Sequence, residues 1–393
     1  MRMMKLTGGK SMAEECLLRL GIALESAGVD VLIATHTSDI RWMTGFSGVF
    51  DDEQAHCTLI LRDKVQESVC LFTDKRYSEA LRQMDTLKLW RILDEKKPRF
   101  TYMAETLAEQ LAVGTRSATV PVVIGIESDL RLDWYRALIK ALDELAAQNH
   151  PYELKELPNL ILGLRAIKTA EEIELIKQAQ AITDAAFTHI LGFIKPGLTE
   201  RDVATELDFF MRKAGADCSA FPTIVASGPN SAIPHAVPSG RMLKRGDIIL
   251  MDFGARLNDY CSDMTRTVFL GKPDKQQRKM YAATLAAHQA LQEAYGPDCE
   301  TSGLQKAAEA VLTEHGFAGR LIHSVGHGVG IDIHELPTIG PATTDRLLIG
   351  HVVTIEPGVY IEGVGGVRIE NFGCVTKDGF ENFTGSTKEL LVL

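Results

Sequence analysis

The sequence predicts two domains, an α/β domain over residues 1–156 and an α+β domain over 157–393, and three observations carry that prediction. The 393-residue length exceeds the size at which a single core keeps growing. In the first part, short apolar runs alternate with longer helical patterns: VLIA at 31–34, HCTLIL at 56–61, SVCLFT at 68–73 and VVIGI at 122–126. In the second part, helices are interleaved with the strand-like segments DIILMDFGA, YCSDMTRTVFL, VVTIEPGVYI and GVRIENFGCVT, which suits an antiparallel sheet covered by helices.

Taken in order, DWYRALIKALDELAAQ is a strongly amphipathic helix, and HPYELKELPN after it holds two prolines that interrupt regular structure near residue 156. Thr169 and Glu172 form a T-x-x-E capping box before a helix whose apolar positions Ile173, Ile176, Ile182, Ala186 and Ile190 recur at helical spacing. Thr199 with Asp202 is a second cap, and Gly215 a stop. Further helices are predicted from about Lys275 to Tyr295 and from about Leu304 to His315, each ended by glycine. Trp42 and Phe46 read as core residues, and the GVGG glycines as a turn rather than a phosphate cradle.

Hydrophobic residues at 45% and charged residues at 24% exclude a disordered chain. A formal charge of −10 has the wrong sign for holding nucleic acid, which drops out as a partner. Part of that excess fits a local cluster of carboxylates that bind divalent cations. The 7 cysteines are odd in number, scattered and never spaced CxxC, so neither a disulfide framework nor a zinc knuckle is expected. Glu14, Glu15 and Arg19 interrupt the N-terminal apolar residues before they reach signal-peptide length, and no run approaches the roughly 18 apolar residues of a membrane span. The expectation is a cytoplasmic protein without membrane contact.

The chemistry is concentrated in two hairpin-like segments. In IILMDFGARLNDYCSDMTRTVFL, a turn at Leu257-Asn258 would set Asp252 opposite Asp263. Opposed side chains have Cβ atoms about 4.5–5.5 Å apart, where two bare carboxylates repel. Either a cation sits between them, or one carboxylate faces solvent or pairs with Arg256 or Arg266. In TIEPGVYIEGVGGVRIEN, pairing about Gly363 sets Glu356 opposite Glu370 unless Pro357-Gly358 bulges the first strand and shifts the register. Arg368 shares a sheet face with Glu370.

HSVGHGVGIDIHE adds His323, His327 and His334 among glycines that permit close backbone approach, and His235 lies in the loop-like SGPNSAIPHAVPSG. The spacing is not HExxH, so HELP is not a zincin motif. Four carboxylates and one imidazole suit hard or borderline divalent ions, Mn²⁺ first and Co²⁺ or Zn²⁺ after it. Two such ions would balance the four charges and supply a hydroxide nucleophile at neutral pH, which points to hydrolysis.

MDFGA, SDMTRT, GHGVGIDIHE, TIEPGVY and GVRIE, in this order, resemble the pita-bread metallopeptidases, in particular the aminopeptidase P and prolidase branch. RWMTGFSG and FTDKRY resemble the creatinase-type N-terminal domain that accompanies it. The resemblance implies that Asp252 binds one metal, that His327 and Glu356 bind the other, and that Asp263 and Glu370 bridge both. It implies substrate-side roles for His235, His323, His334 and Arg368, with His235 and His334 stabilising the scissile carbonyl and moving protons. It makes Glu356 the acceptor of the water proton. It further implies cleavage of the bond between an N-terminal residue and a following proline, in short peptides, by a homodimer. One departure is Asn371, where many relatives carry aspartate; alternation points it away from the ligands, so altered hydrogen bonding rather than metal loss is expected.

The leading expectation is a Xaa-Pro aminopeptidase, with a dipeptide-restricted prolidase as the alternative. A metal-free creatinase-like hydrolase or a non-catalytic binding module is remote, because unused facing carboxylates would repel.

Overall fold

The computed structural model describes residues 12–46, 57–63, 66–83, 89–92, 96–113, 120–147 and 150–393. The first eleven residues of the N-terminal run, the Ser47-Gly48 end of RWMTGFSG, His56 of HCTLIL and Gln148 of the amphipathic run lie outside them. The chain forms two compact units, Met1–Leu164 and Arg165–Leu393. No helix among the described residues is long and apolar enough to cross a membrane.

The first unit is built on a six-stranded sheet in the order β4-β3-β2-β1-β5-β6. Its strands are β1 (Val31–Ala34), β2 (Cys57–Asp63), β3 (Gln66–Thr73), β4 (Leu89–Ile92), β5 (Val122–Ile126) and β6 (Tyr152–Glu156). Pairing is parallel for β1/β5, β3/β4 and β5/β6, and antiparallel for β1/β2 and β2/β3. Helices α1 (Met12–Ala27), α2 (Thr37–Thr44), α3 (Ser78–Arg82), α4 (Arg99–Val113) and α5 (Leu132–Ala146) complete it. The apolar faces of α4 and α5 cover the sheet through Phe100, Met103, Leu107, Leu138 and Leu142. Trp42 and Phe46 are both buried, as core residues should be. This unit is the α/β domain that the alternating runs predict.

The second unit begins within α6 (Leu160–Ala166) and continues with α7 (Ala170–Phe193) and α8 (Glu200–Lys213), each started by a complete capping box on Thr169/Glu172 and Thr199/Asp202. Strands β7 (Cys218–Ser219), β8 (Ile224–Ser227), β9 (Asp247–Phe253), β10 (Ala255–Leu257), β11 (Tyr260–Cys261) and β12 (Met264–Leu270) follow. Then come α9 (Lys275–Ala294) and α10 (Thr301–Glu314). The last strands are β13 (Gly326–Gly328), β14 (Glu335–Ile339), β15 (Val352–Ile355), β16 (Gly358–Ile361), β17 (Gly365–Arg368), β18 (Asn371–Thr376) and β19 (Gly379–Asn382). Every ladder between these strands is antiparallel. α7 and α8 pack on β9 and β12 around Phe187, Leu207, Ile249, Met251 and Val268, and α9 packs on β16 and β17 around Tyr281, Val359 and Val367. Because β9 and β12 are buried along their whole length, their charged residues must be matched within the protein.

The first hairpin differs from its sequence reading. Asp252 pairs with Thr265, not with Asp263, and the turn is Asn258-Asp259 rather than Leu257-Asn258. Both turn residues have positive φ, 49° and 71°. Asn and Asp tolerate that conformation, whereas a branched apolar Leu257 resists it, so the turn slides one residue along the chain. The resulting two-residue slip in pairing keeps each side chain on its original face, because the strand period is two.

The second hairpin has the register read from sequence. Gly358 pairs with Arg368 in β16/β17 and Ile355 with Asn371 in β15/β18, so one register runs past Pro357 without a shift. Glu356 and Glu370 occupy the gap between these two ladders.

Candidate metal centre

Asp263, Glu356 and Glu370 each stand at a strand interruption, while Asp252 and His327 lie within β9 and β13. Interruption frees the backbone to turn a side chain off the regular alternation, and tertiary hydrogen bonds then hold it. The Glu370 N–H donates to the Thr265 carbonyl at 3.1 Å, and its own carbonyl accepts from Arg266. The Glu356 N–H donates to the Val325 carbonyl at 2.9 Å. Glycines flank His327 for a steric reason: a Cβ on Gly326 would lie 2.3 Å from the Thr354 carbonyl oxygen, and one on Gly328 2.1 Å from that of Leu336.

These elements bring the predicted residues together. One ligand atom each from Asp263, His327 and Glu370 lies within 4.8 Å of the others, a group that could hold a metal ion. His327 Nε2 is 3.5 Å from Asp263 Oδ2 and 3.4 Å from Glu356 Oε1. Its Nδ1 donates to the Gly328 carbonyl at 3.1 Å, which leaves Nε2 as the free lone pair, as a metal ligand requires. Thr265 Oγ1 donates to Glu370 at 2.7 Å and Thr354 Oγ1 to Glu356 at 3.2 Å.

Arg368 is the cation of the site. Its Nη2 donates to Asp252 Oδ2 at 2.6 Å, its Nε to Thr265 Oγ1 at 2.9 Å and its Nη1 to the Tyr360 hydroxyl at 2.8 Å. The candidate partners Arg256 and Arg266 do not pair with Asp252: Arg256 donates to the carbonyls of Asp259 and Ile331, and Arg266 to carbonyls and Asn371. Asp252 Oδ1 is buried and makes no hydrogen bond. An orphaned carboxylate oxygen beside the buried Asp263 and Glu370 and the half-buried Glu356 is the donor set a divalent ion would complete.

Electrostatics agree. Burial, reinforced by the neighbouring carboxylates, pushes Asp263 and Glu370 well above the ordinary carboxylate range, and burial with Asp252 raises Glu356. Burial alone would lower Arg368, but Tyr360, Asp252, Glu356 and Glu370 around it hold it well above its usual value. Burial also lowers His323, His327 and His334, which favours neutral imidazoles.

His323 Nδ1 donates to the Ser324 carbonyl at 2.7 Å, so its Nε2 accepts from the Tyr360 hydroxyl at 2.8 Å. The His334 ring meets that of His327 edge-on, with centroids 4.4 Å apart. His334 and His235 are exposed. Asn371 points away from the cluster, accepting from Arg266 at 2.8 Å and donating to Asn382 at 2.8 Å. Sequence reasoning missed Tyr360, Thr265 and Thr354. Each lies an even number of residues from a candidate ligand just beyond the end of its strand, the one signal that could have found them.

The model of metallopeptidase family M24 matches residues 174–377, and that of the Creatinase/Prolidase N-terminal domain matches residues 17–167. The chain belongs to metallopeptidase family M24. It is 42% identical over 239 residues to the Xaa-Pro dipeptidase of Pyrococcus furiosus, covering 61% of this chain and 69% of that one. The structure of a Xaa-Pro dipeptidase from Bacillus anthracis superposes with a TM-score of 0.85 at 35% identity, over 97% of this chain and 100% of that one. An X-Pro aminopeptidase from Thermotoga maritima superposes with a TM-score of 0.81 at 28% identity, over 95% and 100%. The M24 member is therefore a peptide hydrolase that uses divalent metal ions, with a creatinase-type N-terminal domain and a pita-bread catalytic domain.

Proposed function

We propose that this M24 member hydrolyses the bond between an N-terminal residue and a following proline, with two divalent ions, Mn²⁺ before Co²⁺ or Zn²⁺, held by Asp252, Asp263, His327, Glu356 and Glu370. The observation that carries this reading is the charge balance: four converging carboxylates are offset by the single guanidinium of Arg368, and one buried carboxylate oxygen has no partner. When bound, the ions supply Lewis acidity and a water acidified toward neutral pH. Glu356 is the group that takes the water proton. His235 and His334, on the exposed side, donate hydrogen bonds to the scissile carbonyl and relay to the departing proline nitrogen the proton that Glu356 took from water. Arg368 holds Asp252 in place, and the Tyr360 hydroxyl ties Arg368 to His323, which lines the substrate side.

Relatives support both substrate-length readings. The Bacillus anthracis dipeptidase superposes at 35% identity and the X-Pro aminopeptidase at 28%, so the dipeptide reading is supported at least as well. The aminopeptidase reading, ranked first from sequence, keeps the support of a structure that covers nearly the whole chain. Assaying chelator-stripped protein with Mn²⁺ restored on Xaa-Pro and Xaa-Pro-Xaa peptides tests both: dipeptide-only cleavage supports the first, tripeptide cleavage supports the second, and cleavage of neither overturns the Xaa-Pro assignment. The homodimer that the resemblance implies is checked by sedimentation on the same sample.

A further inference from the structure

We propose that Glu200, far from the candidate ligands in sequence, is a positioning residue that clasps both ends of the loop 228–238 and so sets where His235 stands. This rests on reading His235 as a substrate-side group. Glu200 is the first residue of α8, where backbone donors lack helical partners and the helix dipole favours an anion. It is 1% exposed.

The carboxylate reaches both ends of the loop, Oε1 binding Ser227 and Oε2 binding Ser239, while Asn230 Nδ2 also donates to Oε2 at 3.3 Å. Oε1 accepts from the Ser227 N–H and hydroxyl, both at 2.7 Å, and from Asn230 Nδ2 at 3.1 Å. Oε2 accepts from the Ser239 N–H at 3.0 Å and from the Ser239 hydroxyl at 2.6 Å. The helix backbone closes the same joint, as the Glu200 N–H donates to the Arg241 carbonyl at 3.1 Å and the Arg201 N–H to the Ser239 carbonyl at 3.2 Å. Arg241 then forks onto Asp247 at 2.7 and 2.8 Å and donates to Ser227 Oγ at 2.5 Å, tying the joint to the start of β9, the strand that carries Asp252. Glycine suits position 228, where φ is 50° and a Cβ would lie 2.6 Å from Arg241 Nη2. Burial works against a charge on Glu200, yet the Ser239 and Ser227 donors hold its carboxyl below the usual range.

The loop is also tethered along its span. Ser231 Oγ accepts from the Gly366 N–H at 2.9 Å, and the Pro234 carbonyl accepts from Arg368 Nη1 at 3.3 Å. His235 follows directly and is exposed. With its base fixed by one carboxylate and its span by β17 and Arg368, the loop leaves the imidazole little freedom to wander.

Glu200→Gln tests this, because its amide group would face a backbone N–H at one end of the loop and force that end to let go. With Mn²⁺ restored, kcat on a Xaa-Pro substrate should fall by about tenfold to a hundredfold, the scale of a misplaced catalytic group, with KM moved far less and bound metal unchanged. In a His235→Ala background the same substitution should cost nothing further. Multiplying effects, or loss of metal, would overturn the proposal in favour of a merely structural role. Hydrogen exchange at the Ser227 and Ser239 amides reads the clasp without activity: it should quicken in Glu200→Gln, and unchanged exchange would equally overturn it. If the wild type cleaves no Xaa-Pro peptide, the reading of His235 fails while the exchange result still judges the clasp. Should Glu200→Gln not fold, Ser239→Ala removes one hydroxyl donor and carries the same tests with a smaller effect.

Discussion

Two buried clusters of charge in the second unit have opposite balances. At the candidate metal centre, four carboxylates share one guanidinium; around Glu335, one carboxylate accepts from Arg165 and from Lys168, the latter at 2.9 Å. Both clusters are buried, yet their carboxyls move in opposite directions. Burial and mutual repulsion raise Asp263 and Glu370, whereas at Glu335 the two cations overcome burial and push the carboxyl down to about 2. Glu335 is complete within the protein. Its Oε1 also accepts from the Asp332 N–H at 3.0 Å, and a Cβ on Gly330 would meet its carboxylate at 2.5 Å. A buried acidic group with its own cations is a structural clamp, here next to His334. Buried acidic groups in excess of protein cations mark a place for metal.

The sharpest way to break this contrast is Asp263→Asn. It should abolish Xaa-Pro hydrolysis and lower the number of bound ions, while the metal-free protein melts no lower than wild type because repulsion has been relieved. Calorimetry and elemental analysis of the same samples check both halves. Glu335→Gln should do the reverse: leaving Lys168 buried without its counter-charge, and Arg165 with only the half-buried Asp332 at 2.7 Å, costs about 3–5 kcal/mol of stability, read from urea unfolding of the metal-free protein. A near-neutral result there would remove the distinction between the clusters.

A smaller and graded effect is the pH dependence. The lowered carboxyl of Glu335 contributes stability above its ordinary value of 4.5, and that contribution is lost as pH falls toward about 2. The gap in urea midpoint between wild type and Glu335→Gln should therefore narrow across that window. At the metal-free centre the sign is opposite: raised carboxyls stabilise the fold while protonated and lose that contribution as pH rises through and above the ordinary carboxylate range, so adding Mn²⁺ should raise the melting temperature most at the higher pH. The smallest effect belongs to Asn371→Asp. The new carboxylate would keep its bond to Arg266 and lose one to Asn382, so metal content and hydrolysis should barely change.

Much of this was legible in the sequence where chemistry follows local pattern. Capping boxes at Thr169 and Thr199 start the helices they predict, and symmetry about Gly363 gives the register that sets Glu356 against Glu370. The first hairpin was misread because Asn258 and Asp259 can both take positive φ, and nothing in alternation distinguishes a turn there from one a residue earlier. The error was harmless for the site, since Asp263 still lies in one group with His327 and Glu370. What could not be read was long-range partnership. The choice of Arg368 over Arg256 or Arg266 for Asp252, the Tyr360 bridge to His323, and the Glu200 clasp join segments more than 20 residues apart or elements whose mutual approach only the folded core decides. The site's substrate length is written in neither pattern nor register.

The central claim is that the carboxylate excess at Asp252, Asp263, Glu356 and Glu370 is balanced by catalytic metal. Titrating chelator-stripped protein with Mn²⁺ while following heat and Xaa-Pro hydrolysis on one sample tests it most directly. The account predicts binding of about two ions per chain, with hydrolysis absent at the start and rising as the sites fill. Full hydrolysis by the stripped protein, or failure to take up any ion, would contradict it.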